Sequence, residues 1–274
     1  MRNALALGIA AAIAIGVAGC SGKSATAPGA KTLLVYCGGT MRQPMEVIAE
    51  AYEAKTGVRV KLSFGDSGET LIQAEKRLVG DGIVVHDPFS QLAEAKGLVT
   101  ETRALATMTP VIGVKIGTKG EQEVKGLADL AKPGLKIGVP HPEYATAGNI
   151  LAATLKKAGL ADAVMKNAML VSRASGDLVN ALTLGSVDAV VAWDAVIRGR
   201  ADKNGLKVIP IEEKYRVDAV TSATNKTYDV KAVRVTLSTL KSSKDPAAAK
   251  AFLDFAAGPD GRAAFAKFFF SPAP

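Results

Sequence analysis

Short apolar runs alternate with amphipathic patterns along most of the chain. The runs that predict β-strands are rich in β-branched or alternating apolar residues and lie at 31–36, 58–64, 83–85, 110–116, 134–139, 187–192 and 206–211. Between them, apolar residues at helical spacing predict helices around 45–52, 70–78, 147–158 and 177–184, and two more around Phe252 and Phe265. Strands that alternate with helices are typical of parallel sheets covered by helices on both faces. The sequence therefore predicts an α/β fold.

The chain is long enough for one large domain or two modest ones, since it has 274 residues. No self-similar repeat at a fixed period is visible, and no long linker separates two halves. This organisation favours two lobes that are joined by crossover strands over two independent domains connected by a tether.

The first thirty residues carry the pattern of an export signal. A short start with Arg2 is followed by an uncharged apolar stretch, 4–18, that is too short to span a membrane well. The stretch ends in Val-Ala-Gly-Cys at 17–20, which resembles a bacterial lipobox, and Ser, Gly, Ala and Pro dominate 21–30. We expect a signal peptide at 1–19 and a tether at 20–30 that is lipidated on Cys20. The alternative is an ordinary signal peptide with an incidental cysteine.

Charge and cysteine content narrow the possible partners. The net charge is +8, but the basic residues are scattered and not interleaved with aromatic residues, which disfavours nucleic-acid binding. A basic surface favours an anionic ligand or an anionic membrane, or serves only solubility. The only cysteine besides Cys20 is Cys37, so lipidation of Cys20 would leave no partner for an internal disulfide.

Five places along the chain share one local architecture, in which a strand is followed by a small or polar turn and then by a helix start. These turns lie at 37–40, 65–68, 144–148, 175–178 and 192–194. A helix N-terminus carries unpaired N–H groups and a partial positive charge, and small residues let an anion approach them. Each turn taken alone is explained by helix capping. All five lie at the carboxyl ends of strands, where α/β sheets bind ligands, so together they predict an anion site in one crevice.

Motifs for an enzyme or a metal site are mostly absent. The sequence has no phosphate-binding loop of the G-x-x-x-x-G-K type and no G-x-G-x-x-G after a strand, and no cofactor is predicted. His86 and His141 are the only histidines and no C-x-x-C pair exists, which disfavours zinc. Cys37 and His86 both follow strands of the first half and could form a thiolate–imidazole pair. The alternative is a small buried thiol and a polar loop histidine.

Five stretches resemble the periplasmic molybdate-binding family of type II solute-binding proteins, and together they span nearly the whole chain after the tether. They are LLVYCGGTMRQPMEVIAEAYEAKTGVRVKLSFGDSGETL, GDGIVVHDPF, IGVPHPEYATAGNILAATLKKAGL, GDLVNALTLGSVDAVVAWDAV and AFLDFAAGPDGRAAFAKFFFSP. The resemblance implies two lobes with parallel sheets and helices on both faces. It also implies capture of molybdate or tungstate between the lobes, delivery to the permease of an ABC importer, and no enzymatic activity.

The resemblance also assigns residues to the site. The family's hydroxyl donor after the first strand falls on Thr40, next to Gly39, and its second serine falls on Ser67. The alanine of its P-A-G turn falls on Ala147, and a backbone donor at the next helix start falls on Leu178.

The family's tyrosine after the last strand of the second lobe falls on Ala192 or Trp193. The size of the side chain favours Trp193. From the residues alone, this tryptophan is equally well explained as a core aromatic or as a wall of the crevice.

Several positions depart from the family pattern. The first turn has Cys37 in place of serines, Asp66 and Glu69 would repel a dianion if they faced it, and His86 with Asp87 replaces a bland stretch. Because a tungstate-type branch of the family lets carboxylates join the metal centre, one of the three acidic residues could do so here. Cys37, His86 and Asp87 are therefore additional candidates for the cleft, and another oxyanion or a metal cation is the alternative ligand.

We expect lobe 1 at 31–108 and 218–274 and lobe 2 at 109–217. The predicted protein is an exported monomer, held by its lipid anchor at the periplasmic or outer face of a bacterial membrane, and it has no nucleic-acid partner.

Overall fold

The computed structural model of the chain describes residues 31–221 and 227–273. The predicted signal peptide, the tether and Cys20 lie outside the described residues.

The described residues form short strands separated by helices, as the sequence pattern predicts. In chain order the strands are β1 (Thr32–Gly38), β2 (Arg59–Gly65), β3 (Gly82–His86), β4 (Val99–Met108), β5 (Pro110–Lys115), β6 (Ile137–Pro140), β7 (Ala168–Ser172), β8 (Ala189–Trp193), β9 (Leu206–Ile209), β10 (Ala219–Thr221), β11 (Thr227–Asp229), β12 (Val233–Leu240) and β13 (Ser271–Pro272).

The α-helices are α1 (Arg42–Thr56), α2 (Ser67–Arg77), α3 (Phe89–Ala95), α4 (Lys119–Glu123), α5 (Thr146–Ala158), α6 (Ala161–Lys166), α7 (Ser175–Thr183), α8 (Asp194–Asn204), α9 (Pro246–Ala257) and α10 (Pro259–Lys267). Short 3₁₀ helices lie at Gly39–Met41, Leu127–Ala131 and Glu213–Tyr215.

Every predicted strand and helix is present in the structure. The predicted end of α1 is confirmed, because Gly57 closes this helix with a φ of 71°.

Two sheets carry the two lobes. The first has the strand order β13-β4-β12-β3-β1-β2 and the second has the order β7-β6-β8-β5-β9, while β10 and β11 form a separate antiparallel pair. In the first sheet β2, β1 and β3 are parallel, and in the second β7, β6 and β8 are parallel. The remaining neighbours are antiparallel, so the sheets are mixed and not purely parallel as expected.

The crossing of the chain between the sheets explains the antiparallel strands. The chain leaves the first sheet through β4, enters the second through β5 after a single residue, Thr109, and returns through β12. An outgoing and a returning strand that lie side by side must be antiparallel, and β4 pairs with β12 from Met108↔Val233 to Val99↔Leu240. The limits of the lobes at 108/109 and 217/218 stay a prediction.

Each sheet is covered by apolar side chains of the helices. In the first lobe Tyr52 of α1 packs against Phe252 and Phe255 of α9, with ring centroids 5.1 and 5.2 Å away. In the second lobe Leu151 and Leu155 of α5 are buried against one face of the sheet. Burying a side chain of this size contributes about 1.5–3 kcal/mol, so these faces fix how the helices lie on the strands.

Gly148, in the first turn of α5, allows this helix to start directly on the end of β6. A Cβ atom at this position would lie 2.0 Å from the carbonyl oxygen of His141, which is backbone and cannot rotate away. Only glycine permits such an approach. As a result, the N-terminus of α5, with Thr146 and Ala147, lies at the carboxyl end of the parallel strands.

Gly148→Ala is expected to destabilise the protein by about 1–3 kcal/mol, because the added methyl group overpacks a backbone contact. Chemical denaturation measures the free energy of unfolding. Gly199→Ala in α8 is the matched control, since a Cβ atom there meets nothing within 4 Å. The control should be neutral or gain up to about 1 kcal/mol from helix propensity. If both variants are equally stable, the close approach of α5 to β6 is wrong.

Candidate functional site

A cleft of about 630 Å³ lies between the carboxyl-end turns of the two sheets. The predicted turns contribute to it from both lobes: those after β1 and β2 on one side, and those after β6, β7 and β8 on the other. Of the predicted site residues, six line the cleft: Gly39, Thr40, Ser67, His86, Ala147 and Trp193. Leu178, Cys37, Asp87 and Ala192 do not line it.

Four hydroxyl side chains line the cleft where helices begin. Thr40 lies in the 3₁₀ turn that leads into α1, Ser67 is the first residue of α2, Thr146 is the first of α5 and Ser175 is the first of α7. Ser67 and Thr146 are only 6 % and 7 % exposed. None of the four hydroxyls donates a hydrogen bond to another described residue, and Ser175 Oγ only accepts one, from the Trp193 N–H at 3.5 Å. The hydroxyl protons are therefore available to a ligand.

Glycine brings two of these turns into contact. A Cβ atom at Gly38 would lie 2.7 Å from Ser67 Oγ, so the hydroxyl that begins α2 rests directly on the backbone that ends β1. The next residues along that backbone are Gly39 and Thr40. The first two turns therefore lie side by side, and a side chain at position 38 would force them apart.

An ion pair crosses the cleft between the lobes. Asp66 in the turn after β2 accepts a hydrogen bond from Arg173 after β7 at 2.8 Å. The other carboxylate oxygen of Asp66 caps α2 by accepting from the Glu69 N–H at 2.8 Å, and Glu69 bonds back to the Asp66 N–H. Arg173 thus neutralises the one carboxylate that lines the cleft, and Glu69 does not line it.

His86 forms part of the cleft wall as a neutral ring. It is buried between Phe89 and Trp193, with ring centroids 5.5 and 5.6 Å away, and burial lowers its pKa because the charged form loses hydration. Nδ1 lies 2.8 Å from the carbonyl oxygen of Asp87. A carbonyl oxygen only accepts, so Nδ1 carries the hydrogen and Nε2 is left as an acceptor.

Asp87 lies beneath the cleft and is engaged by protein groups. It is 1 % exposed and accepts hydrogen bonds from the hydroxyl of Ser90 and from Arg234 Nε, the latter at 2.8 Å. Its backbone N–H bonds to the Arg234 carbonyl. The carboxylate therefore holds the loop that carries His86 against β12, which is a structural role.

Cys37 is buried in the apolar core of the first lobe and does not face the cleft. Burial raises the pKa of its thiol well above the usual range, so the thiol stays protonated at neutral pH. The thiolate–imidazole pair considered from the sequence therefore gains no support from the geometry.

Leu178 was assigned a role through its backbone N–H, and its side chain is buried in the apolar core between α7 and the second sheet. Ser175 and Gly176, at the start of the same helix, line the cleft, and the backbone role of Leu178 stays a prediction. Ala192 is also buried in that core, so of the two residues aligned with the family's tyrosine only Trp193 reaches the cleft.

Sequence reasoning did not single out Thr146 and Ser175, although both lie in predicted turns. Their common signal is a hydroxyl residue at the first helical position. It also missed three arginines of the lining: Arg42, Arg173 and Arg200.

Comparison with known proteins gives the family. A model described as bacterial extracellular solute-binding protein matches residues 33–271. The chain belongs to this family. A search of curated proteins finds no significant match.

Solved structures with the same fold bind different solutes, and the following three each have a TM-score of 0.68. The periplasmic molybdate-binding protein of Azotobacter vinelandii is 18 % identical, with 88 % of this chain and 100 % of that chain covered. Iron-bound HitA from Pseudomonas aeruginosa is 18 % identical, with 89 % and 86 % covered. The sulfate-binding protein SubI from Mycobacterium tuberculosis H37Rv is 16 % identical, with 89 % and 87 % covered. At these identities the similarity shows the two-lobed type II fold alone.

This solute-binding protein presents mainly hydrogen-bond donors to its cleft. Hydroxyls, helix N-termini and guanidinium groups all donate, which suits an anion. Within residues 31–221 and 227–273, no group of three or more His, Cys, Asp or Glu side chains is placed to hold a metal ion. Over the same ranges, no helix has the length and apolar character to cross a membrane.

Proposed function

We propose that this solute-binding protein captures a tetrahedral oxyanion, with molybdate and tungstate as the first candidates, and delivers it to an ABC permease. The observation that carries the proposal is the set of four hydroxyls at helix starts, two from each lobe, whose protons no other described residue uses. A ligand that accepts hydrogen bonds from both lobes at once binds most tightly when the lobes are closed around it. The closed form with ligand then differs in shape from the open, empty form, and an importer must distinguish the two.

The electrostatics of the cleft support an anion without a dedicated counter-ion at its centre. The starts of α2, α5 and α7 supply backbone N–H groups and the positive ends of their dipoles. Each hydroxyl bond to a charged group contributes about 1.5–3 kcal/mol. Because Arg173 neutralises Asp66, the carboxylate at the α2 N-cap does not repel a dianion as its position in the sequence had led us to expect.

The metal-cation alternative fits the cleft less well. A cation needs several acceptors, usually carboxylates, and the one carboxylate of the lining is already used twice, by α2 and by Arg173. Neutral His86 offers a single acceptor atom.

Other oxyanions, sulfate and phosphate among them, differ from molybdate and tungstate mainly in their shorter bonds. The spacing of the four hydroxyls would therefore select among oxyanions by their size.

Removing one hydroxyl donor should weaken oxyanion binding by about ten- to a hundredfold, the equivalent of 1.5–3 kcal/mol. We expect this for Ser67→Ala, Ser175→Ala and Thr146→Val in calorimetric titrations with molybdate, tungstate, sulfate, phosphate and ferric ion. The wild type should bind molybdate and tungstate more tightly than sulfate and phosphate.

Ser186→Ala is the control, since Ser186 is exposed and does not line the cleft. Tight ferric binding without any response to oxyanions would contradict the proposed ligand. Equal effects of Ser186→Ala and Ser67→Ala would contradict the proposed site.

We also propose that the protein is exported and anchored to a bacterial membrane through lipid on Cys20, as a monomer without a nucleic-acid partner. Export is supported by the extracellular family and the anchor by the lipobox-like residues 17–20. A signal peptide at 1–19, a tether at 20–30 and lobes that change over near 108 and 217 complete the proposed organisation.

Cys20→Ser should move the protein from the membrane fraction to the soluble fraction, because the lipid supplies the apolar contact with the bilayer. Fractionation after labelling with a fatty-acid probe measures both the location and the modification, and Ser21→Ala serves as the control. A Cys20→Ser variant that stays with the membrane would rule out the anchor.

A further inference from the structure

The cleft is much larger than a bare oxyanion. It measures about 630 Å³, whereas an ion of five atoms needs on the order of 60 Å³, roughly the share of two water molecules in the liquid. The excess space does not come from lobes that are far apart. Asp66 and Arg173 already bond across the cleft, and the rings of His86 and Trp193 lie 5.6 Å apart across it.

The extra space has an apolar wall of its own. On α8 of the second lobe, Ala195, Val196 and Gly199 line the cleft, and on the first lobe Phe268 and Phe270, from the segment after α10, line it. The four side chains other than Gly199 belong to one apolar cluster, and Val196 and Phe268 are only partly buried. We call these five residues the α8 chamber. A bare oxyanion has no apolar surface with which to cover this wall.

Gly199 leaves space in the chamber, although glycine lowers the stability of the helix. It lies inside α8, where glycine is about 0.8–1 kcal/mol less favourable than alanine. Neither packing nor backbone requires glycine here, because a Cβ atom would meet nothing within 4 Å and φ is not positive. Its effect is the space that a side chain would fill.

Arg200 links the chamber to the hydroxyl end of the cleft. Its guanidinium donates to the Gly176 carbonyl at 2.9 Å and to Asn180 at 2.8 Å, both on α7, the helix that Ser175 begins. The lining contains Arg42 and Arg173 besides Arg200, with Asp66 as the one carboxylate. Arg173 pairs with Asp66, and Arg42 lies 3.5 Å from Glu46 outside the lining. Arg200 is therefore the lining guanidinium that no described carboxylate neutralises, and its positive charge favours an anion.

We propose that the α8 chamber receives an organic group bonded to the oxyanion, so that phosphate monoesters of small organic molecules are a second class of ligand for the same site, besides the bare oxyanions. This inference rests on the proposed function, since it places the oxyanion head at the four hydroxyls. Phosphate forms stable esters that remain dianionic and keep three terminal oxygens for the hydroxyl donors, whereas a sulfate monoester has a single charge. The apolar side of the organic group packs on Val196 and Phe268, and bare oxyanions occupy the hydroxyl end alone.

Gly199→Leu tests the chamber without touching the hydroxyls. Calorimetry on the full chain uses tungstate and inorganic phosphate as bare probes, and glycerol 3-phosphate, glucose 6-phosphate and phenyl phosphate as monoesters. At least one monoester should bind the wild type ten times more tightly than phosphate. Gly199→Leu should weaken that monoester at least tenfold and leave the two bare ions within twofold.

Asp202→Leu is the matched control, since Asp202 is an exposed residue of the same helix that does not line the cleft, and it should bind every probe like the wild type. Gly199→Met is a second bulky variant for the case that the leucine variant does not fold. The chamber is wrong if no monoester binds more tightly than phosphate, if phenyl sulfate binds more tightly than phenyl phosphate, or if Gly199→Leu weakens tungstate as much as the monoester. In each of those outcomes the wild type still binds a bare oxyanion, so the proposed capture of an oxyanion is unaffected. Failure of every probe would overturn the proposed function itself.

Discussion

The antiparallel pairing of β4 with β12 is the interaction on which the rest of the structure depends. These are the strands through which the chain leaves the first lobe and returns to it, and they stay paired from Met108↔Val233 to Val99↔Leu240. Asp194, which follows β8, bonds to both the N–H and the carbonyl of Thr109 between β4 and β5. The crossing point is thereby tied to the cleft, and the carboxyl ends of the parallel strands in both sheets line the same space.

The chemistry of the cleft follows from that arrangement. A helix start at the carboxyl end of each parallel strand leaves N–H groups without helical partners, and the first helical residue adds a hydroxyl at Ser67, Thr146 and Ser175. Glycines at positions 38 and 148 remove the side chains that would keep these helix starts away from the strand ends. The result is a concave surface of donors, and the Asp66–Arg173 pair removes the charge that would oppose an anion.

The sequence predicted the regular part of the fold well and the site only in part. All predicted strands are present, but β4, β7, β12 and the short β10, β11 and β13 were not predicted. In β12 the polar residues are buried: Ser238 and Thr239 bond to hydroxyls of β4, a pairing that hydropathy does not register. Thr146 and Ser175 were missed because helix boundaries are uncertain by one or two residues in a sequence, and the site depends on which residue comes first. The ion pair between Asp66 and Arg173, 107 residues apart, has no local signal at all.

The central claim is that hydroxyls at helix starts of both lobes hold one oxyanion. Anomalous X-ray diffraction at a tungsten edge, from crystals grown with tungstate, tests it most directly. We expect one strong tungsten peak in the cleft, with tungstate oxygens within hydrogen-bonding distance of the hydroxyls of Thr40, Ser67, Thr146 and Ser175. A tungsten peak held by residues of one lobe alone, or a cleft without tungsten in crystals that contain it elsewhere, would contradict the claim.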